Sequence, residues 1–241
     1  MPERARVPGY MRSQAERGRN PSEVCYAGTN ERPCEKQAKA AAKIIDLSDN
    51  RYYNKKMGYE VALNKAWEDL VSLNPSPAKN LLVKFLADEF SVDIRERKVF
   101  SSSCNVPAKD FVSILLLHYL AQKLKGLPQL SGQWLTFREF SGVEGYSEAF
   151  HRRCIDPLIR KYGKNPDALK DALSRLPAKL SDGGDISLVI EAFINVPVLV
   201  KLWKQDAEFG PDANMYFDSS IKNIFCTEDI VVLAQMVASQ L

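Results

Sequence analysis

The chain has 241 residues, of which 45% are hydrophobic and 26% charged, and its formal net charge at pH 7 is +3. These values are typical of a globular protein and exclude a disordered or fibrous one. No apolar run approaches the roughly 20 residues of a membrane span, and the N-terminus lacks the apolar stretch of a signal peptide. We therefore expect a soluble, cytoplasmic protein with no membrane partner.

The positive charge is concentrated in the N-terminal segment. Residues 1–43 contain nine Lys or Arg and five Asp or Glu side chains, so this segment carries +4 and the remainder −1. Residues 1–34 have almost no aliphatic side chains with which to offset the entropy of ordering. We predict a flexible basic tail over 1–45 that ends in a short helix, and one domain over 46–241. Because the tail lacks a dense basic face with stacking aromatics, nucleic acid is not an expected partner.

The tail holds two candidate metal ligands, Cys25 and Cys34. Thiolates at this spacing can share a metal ion or an iron–sulfur cluster. Two ligands are only half a site, and no histidine lies nearby, so free thiols are the alternative interpretation. The odd total of five cysteines at irregular positions is typical of a reducing compartment and not of a disulfide framework.

The rest of the chain alternates helical and extended patterns. Spacings of three and four residues predict helices, short β-prone runs predict strands, and proline or glycine separates them. In chain order the predicted elements are a helix over 35–46, a helix over 58–73, short strands within 81–100, an apolar helix over 107–125, a strand over 134–137, helices over 146–162 (kinked at Pro157) and 165–179, strands over 185–193, 196–203 and 213–218, and a last helix capped by Thr227. Leu180, which follows the helix predicted over 165–179, is expected to face inward. The fold class is therefore α+β: an antiparallel sheet with helices packed on one face.

His118 is the most informative residue of the apolar helix. It lies at an edge of that helix that becomes polar towards the C-terminus. A histidine in this position can ligate the metal of a cofactor or act as a base, because its ordinary pKa lies near neutrality. A hydrogen-bonded core histidine is the alternative. His151, beside Arg152 and Arg153, is interpreted as part of a solvated face.

An ordered set of short motifs extends through residues 50–241 and resembles the domain-of-unknown-function 3786 family. The motifs are Gly58-Tyr59-Glu60-x-Ala62-Leu63 with Ala66-Trp67, Leu117-His118-Tyr119-Leu120, Gly132-x-Trp134-x-x-Phe137-Arg138-Glu139, Gly184-Asp185, Leu202-Trp203-x-x-Asp206-x-Glu208-Phe209, Phe217-Asp218 and Thr227-Glu228-Asp229. The resemblance implies a domain from anaerobic metabolism, with some relatives fused to a four-cysteine iron–sulfur domain. This chain departs from that arrangement, because it has only Cys25 and Cys34 in the corresponding position.

Two functions follow from these residues. The first is a binding or accessory domain that handles a corrinoid, tetrapyrrole or iron–sulfur cofactor, or docks a protein partner that carries one. Its expected contacts are His118, Trp134, Arg138 and Trp203, because aromatic faces and a guanidinium suit a planar, carboxylate-bearing cofactor.

The second function is a metal-dependent hydrolase-like enzyme that uses a carboxylate cluster. Asp206 and Glu208, two residues apart, would point to the same side of a strand, and Asp218 follows closely. Clustered carboxylates suit Mg²⁺ or Ca²⁺, or an acid–base pair. Strand ends, turns and helix caps are the structural alternative for each of these acids.

Overall fold

The computed structural model describes residues 51–74 and 80–241, with side chains from Tyr59 onwards. The α+β class is confirmed: five α-helices and two antiparallel sheets occur in these ranges. The predictions for the basic tail, for the helix over 35–46 and for Cys25 and Cys34 lie outside the described residues. Within the described ranges, no helix combines the length and the apolar character needed to cross a membrane.

The helices follow the predicted apolar periodicity. They are α1 (Arg51–Leu73), α2 (Asp110–Lys125), α3 (Ser147–Phe150), α4 (Asp156–Tyr162) and α5 (Thr227–Gln240). A π-helical turn, His151–Ile155, joins α3 to α4, so the predicted irregularity occurs one turn before Pro157. Three 3₁₀ segments lie at Phe137–Glu139, Pro166–Ser174 and Ser219–Asn223.

The strands divide into two sheets in which every pairing is antiparallel. The first sheet has the order β1 (Leu81–Phe85), β2 (Asp88–Asp93), β3 (Lys98–Ser101), β4 (Val106–Pro107). The second contains β5 (Trp134–Thr136), β6 (Ala178–Ser181), β7 (Ile186–Phe193), β8 (Val196–Trp203) and β9 (Asp212–Asp218), in the order β5-β9-β8-β7-β6. Strand β9 therefore lies between β5 and β8.

Helix α2 is buried in the core, as its composition predicts. Leu115, Leu116 and Leu117 are completely buried. Tyr119 stacks on Phe193 of β7, with ring centroids 4.3 Å apart. His118 is a partly exposed member within the buried stretch Val112–Ala121 of this helix, since 32% of its side chain is accessible. The middle of the helix thus places one polar side chain at the surface.

One predicted helix is shorter than expected. The segment predicted as a helix to Lys179 is a 3₁₀ helix only as far as Ser174, and Ala178–Ser181 forms strand β6 against β7. Pro177 explains the correction, because proline removes a backbone donor and clashes with the preceding helical turn. Leu180, which was expected to face inward, is 55% exposed on this edge strand.

The cap of the last helix also differs by one residue. Thr227 was predicted as the N-cap, but Cys226 has the extended backbone of an N-cap residue, with φ −77° and ψ 172°. Asp229, three residues later, accepts hydrogen bonds from both the backbone and the thiol of Cys226. A cysteine thus takes the place that serine or threonine commonly fills in a capping box.

Gly184, in the turn between β6 and β7, has no room for a side chain. Its φ is +62°, and an added Cβ would lie 2.8 Å from the carbonyl oxygen of Leu202. We expect Gly184→Ala to lower the free energy of unfolding by about 1–2 kcal/mol, because alanine is strained in this conformation. Urea denaturation measures the loss. Gly210→Ala is the control, since Gly210 has open space around it; equal losses in the two variants would contradict this explanation.

Candidate functional site

The strongest candidate site is centred on His118, where α2 meets the N-terminus of α5. The Nδ1 atom of His118 lies 2.7 Å from Oδ2 of Asp229, whose side chain is only 8% accessible. The same Oδ2 atom accepts hydrogen bonds from the backbone N–H of Cys226 (3.3 Å) and from its Sγ (3.2 Å). The capping geometry of α5 therefore fixes the carboxylate that orients the imidazole.

A second contact extends this cluster. The hydroxyl of Tyr146, the residue before α3, donates to Oε1 of Glu228 at 2.5 Å. We call His118, Tyr146, Cys226, Glu228 and Asp229 together the His118 cluster. It joins a hydroxyl, a thiol, an imidazole and two carboxylates at one helix end.

The electrostatics of the His118 cluster favour charged imidazole and protonated thiol. The hydrogen bond to Asp229 raises the pKa of His118, and this effect outweighs burial, which lowers it. Partial burial and the negative charge of Asp229 raise the pKa of the Cys226 thiol to about 12. The hydrogen bond from Tyr146 lowers the pKa of Glu228. Cys226 is therefore a hydrogen-bond donor at neutral pH and a poor nucleophile.

The arrangement leaves the second nitrogen of His118 available. Asp229 contacts Nδ1, and no described residue hydrogen-bonds Nε2. A carboxylate on one ring nitrogen fixes the tautomer and orientation of the ring and increases the basicity of the other nitrogen. The dyad can therefore act as a metal-ligating imidazole or as a proton acceptor.

Two other predicted contact residues, Arg138 and Trp203, line two different cavities. Trp203 lines a cavity of about 810 Å³ at the end of β8. Arg138 lines a cavity of about 310 Å³ between the 3₁₀ segment after β5 and the π-helical turn. Asp212 contributes to both linings, whereas His118 and Trp134 contribute to neither.

Trp134 lies far from Trp203 along the second sheet. Trp134 pairs with Asp218 at one end of β9, and Trp203 pairs with Asp212 at the other end, six residues away. At a rise of about 3.4 Å per residue the two ends are roughly 20 Å apart. The four residues predicted to contact a cofactor are therefore not brought into one pocket.

With this geometry described, the chain can be compared with known proteins. A family model described as Domain of unknown function (DUF3786) matches residues 71–240, from the end of α1 to the last residue of α5. The chain belongs to this family. No curated protein and no solved structure matches it.

The acidic residues of this DUF3786 chain have separate structural partners. Asp206 and Glu208 lie in a turn and not on a strand, which agrees with the structural alternative, and Asp206 accepts hydrogen bonds from the backbone N–H groups of Glu208 and Phe209. These bonds from Phe209 and Glu208 lower the pKa of Asp206. The short polar side chain satisfies donors that a strand would have paired.

Asp218 is the last residue of β9 and is buried. Its carboxylate accepts hydrogen bonds from the backbone and hydroxyl of Ser131, the backbone of Gly132 and the backbone of Ser220, at 2.7–3.0 Å. Burial alone would raise the pKa of Asp218, but these hydrogen bonds hold it well below its usual range. Among the described residues no group of three or more His, Cys, Asp or Glu side chains is placed to hold a metal ion.

Several members of the His118 cluster were not assigned to it from the sequence. Glu228 and Asp229 follow the predicted cap of the last helix, where acidic residues are favourable without any partner from another element. Asp229 is 111 residues from His118, and nothing in the local pattern joins them. Tyr146 is the first residue of the helix predicted over 146–162, and that prediction does not join it to Glu228. Long-range contacts of this kind carry no sequence signal in a single chain.

Proposed function

We propose that this DUF3786 domain binds a metal-centred planar cofactor, of the corrinoid or tetrapyrrole class, with His118 as the protein ligand to the metal. The cofactor could be free or carried by a protein partner. The observation that supports the proposal is the hydrogen bond of 2.7 Å between Asp229 and Nδ1 of His118, which leaves Nε2 without a described partner. Histidines that ligate metals almost always hold a carboxylate, carbonyl or water on the other ring nitrogen.

The residues present fit such a group. His118 is partly exposed, with 32% of its side chain accessible, although the helix around it is buried. One imidazole, that of His118, would be enough to hold the metal of such a group, so no cluster of protein ligands is needed. The cofactor would supply the redox or alkyl-transfer chemistry. Asp229 orients the imidazole ring of His118, and the buried helix α2 fixes the position of its backbone.

Protons compete with the metal for Nε2. Because the pKa of His118 is raised by Asp229, the imidazole is protonated over a wider range at low pH. Binding should therefore strengthen as the pH rises through the folded-state pKa of His118 and then level off. An iron–sulfur form of the proposal would depend on Cys25 and Cys34, which lie outside the described residues. The metal-dependent hydrolase gains no support from the separated positions of Asp206 and Asp218.

Visible spectroscopy tests this proposal directly. Aquocobalamin and ferric haem are the two probes, and each changes its visible bands when imidazole replaces a weaker axial ligand. We expect saturable band shifts with one of them in the native protein and no such shifts with His118→Ala. His151→Ala is the matched control, because the chain has two histidines.

The expected outcomes distinguish ligation of the probe's metal by His118 from nonspecific binding of the probe to the protein. If His118→Ala retains the band shift, or if His151→Ala loses it, His118 is not the ligand. If neither probe shifts in the native protein between pH 6 and 9, the cofactor proposal is overturned. Circular dichroism of each variant checks that the fold is retained.

A further inference from the structure

A second site is the cavity of about 310 Å³ at the start of β9, which no residue of the His118 cluster lines. Its polar lining comes from Thr136, Arg138, Ser147, His151, Asp212 and Asn214. The base is apolar, because Phe137 and Phe150 line it and stack on each other with centroids 4.1 Å apart. A volume near 300 Å³ with an apolar base and a few convergent polar groups is typical of a small-molecule site.

Arg138 has an open guanidinium in this cavity. It is exposed, and it forms no hydrogen bond or ion pair with any residue that the structure describes. The neighbouring carboxylate, Glu139, is already occupied, since it accepts hydrogen bonds from the backbone (2.6 Å) and hydroxyl (2.7 Å) of Thr136. The capping box thus fixes the short 3₁₀ segment. The guanidinium of Arg138 remains available to donate hydrogen bonds to a ligand.

His151 is a second polar group of the lining, and the π-helical turn holds it in place. In this turn the backbone N–H of Asp156 bonds to the carbonyl of His151, five residues earlier. The same spacing brings Nδ1 of His151 to 3.0 Å from Oδ1 of Asp156. The carboxylate orients the imidazole, and His151 lines the cavity. Such π-helical turns occur frequently at functional sites.

From the open guanidinium and the apolar base we propose that the cavity binds a small organic molecule with a single carboxylate or phosphate group. The guanidinium of Arg138 takes the anionic group, Ser147 and Asn214 offer further hydrogen bonds, and the oriented ring of His151 borders the site. The stacked Phe137 and Phe150 take the apolar body. Asp212 on the same lining opposes a polyanion such as nucleic acid, because it would repel additional negative charge.

Nuclear magnetic resonance titrations on the full chain test this site. The probes are benzoate and phenyl phosphate, with neutral benzamide as the matched control ligand. We expect saturable shifts at the backbone amides of Ala213 and Asn214 and at the ring of His151. Arg138→Gln should weaken binding at least about tenfold, since a hydrogen bond to a charged group is lost. The tighter of the two anionic probes identifies the group that the site prefers.

Two control variants test whether a loss of affinity in Arg138→Gln is specific to this cavity. Arg152→Gln changes an exposed arginine next to His151 that does not line the cavity, and it should leave the affinity unchanged. His118→Ala should also leave it unchanged, so this site and the cofactor proposal succeed or fail independently. Benzamide that binds as tightly as benzoate, an unaltered affinity in Arg138→Gln, or the absence of saturable shifts would each overturn the proposal.

Discussion

An Asp218→Ala variant should lose about 3–5 kcal/mol of its free energy of unfolding at pH 7. The buried carboxylate accepts four hydrogen bonds, two from Ser131, one from Gly132 and one from Ser220. Alanine leaves these donors without their acceptor and releases the segment before β5 from the end of β9. Urea denaturation followed by circular dichroism measures the loss.

The pH dependence of this effect has a defined direction. Because the folded-state pKa of Asp218 is lower than the ordinary value of about 3.9, its contribution is present above that value and is lost as the pH falls through the folded-state pKa. The free energy of unfolding of the native chain should exceed that of Asp218→Asn by the largest amount at pH 7. This difference should decrease below about pH 4. Asp206→Asn, in an exposed turn, should show a much smaller loss at pH 7. Equal losses in both variants would contradict the structural role of Asp218.

Removing Asp229 should have the second largest effect. Asp229→Ala should cost about 2–4 kcal/mol at pH 6, because a buried carboxylate that pairs with His118 and caps α5 is lost. Asp229→Asn keeps the size of the side chain but not its charge, so the pKa of His118 should fall. A proton titration of the His118 ring by nuclear magnetic resonance measures this change.

The stability from the His118–Asp229 pair should disappear at high pH. The folded-state pKa of His118 is raised above its unfolded value of about 6.5, so the contribution is full below that value. It is lost as the pH rises through the folded-state pKa. Glu228→Gln is the control, since Glu228 contacts Tyr146 and not His118. An unchanged titration of His118 in Asp229→Asn would show that another group raises its pKa.

Local patterns in the sequence predicted most of the elements. The alternation of Ile186, Leu188 and Ile190 marks β7, and all three are buried as expected. The apolar helix is buried for the same reason, because its side chains leave almost no polar face. In these segments the hydrophobic pattern and the final packing agree, so local reasoning is sufficient.

The remaining features depend on contacts between distant residues. The separation into two sheets rests on pairings such as Trp134 with Asp218, which are 84 residues apart and carry no local signal. The orientation of His118 by Asp229 likewise depends on a contact between residues that are distant in the sequence. The end of the 3₁₀ segment at Ser174 was readable from Pro177, and the strand that follows is stabilised by its pairing with β7.

The π-helical turn also sets the rotational register between two parts of the chain. Compared with an α-helical turn it spans one additional residue, and each residue of an α-helix rotates the next side chain by about 100°. Deleting one residue from His151–Ile155 would turn everything before it, including Tyr146 and Phe150, by about that angle relative to α4. Tyr146 would then leave Glu228, and Phe150 would leave Phe137. A deletion of Arg153, which belongs to neither candidate site, would therefore disrupt both of them at once.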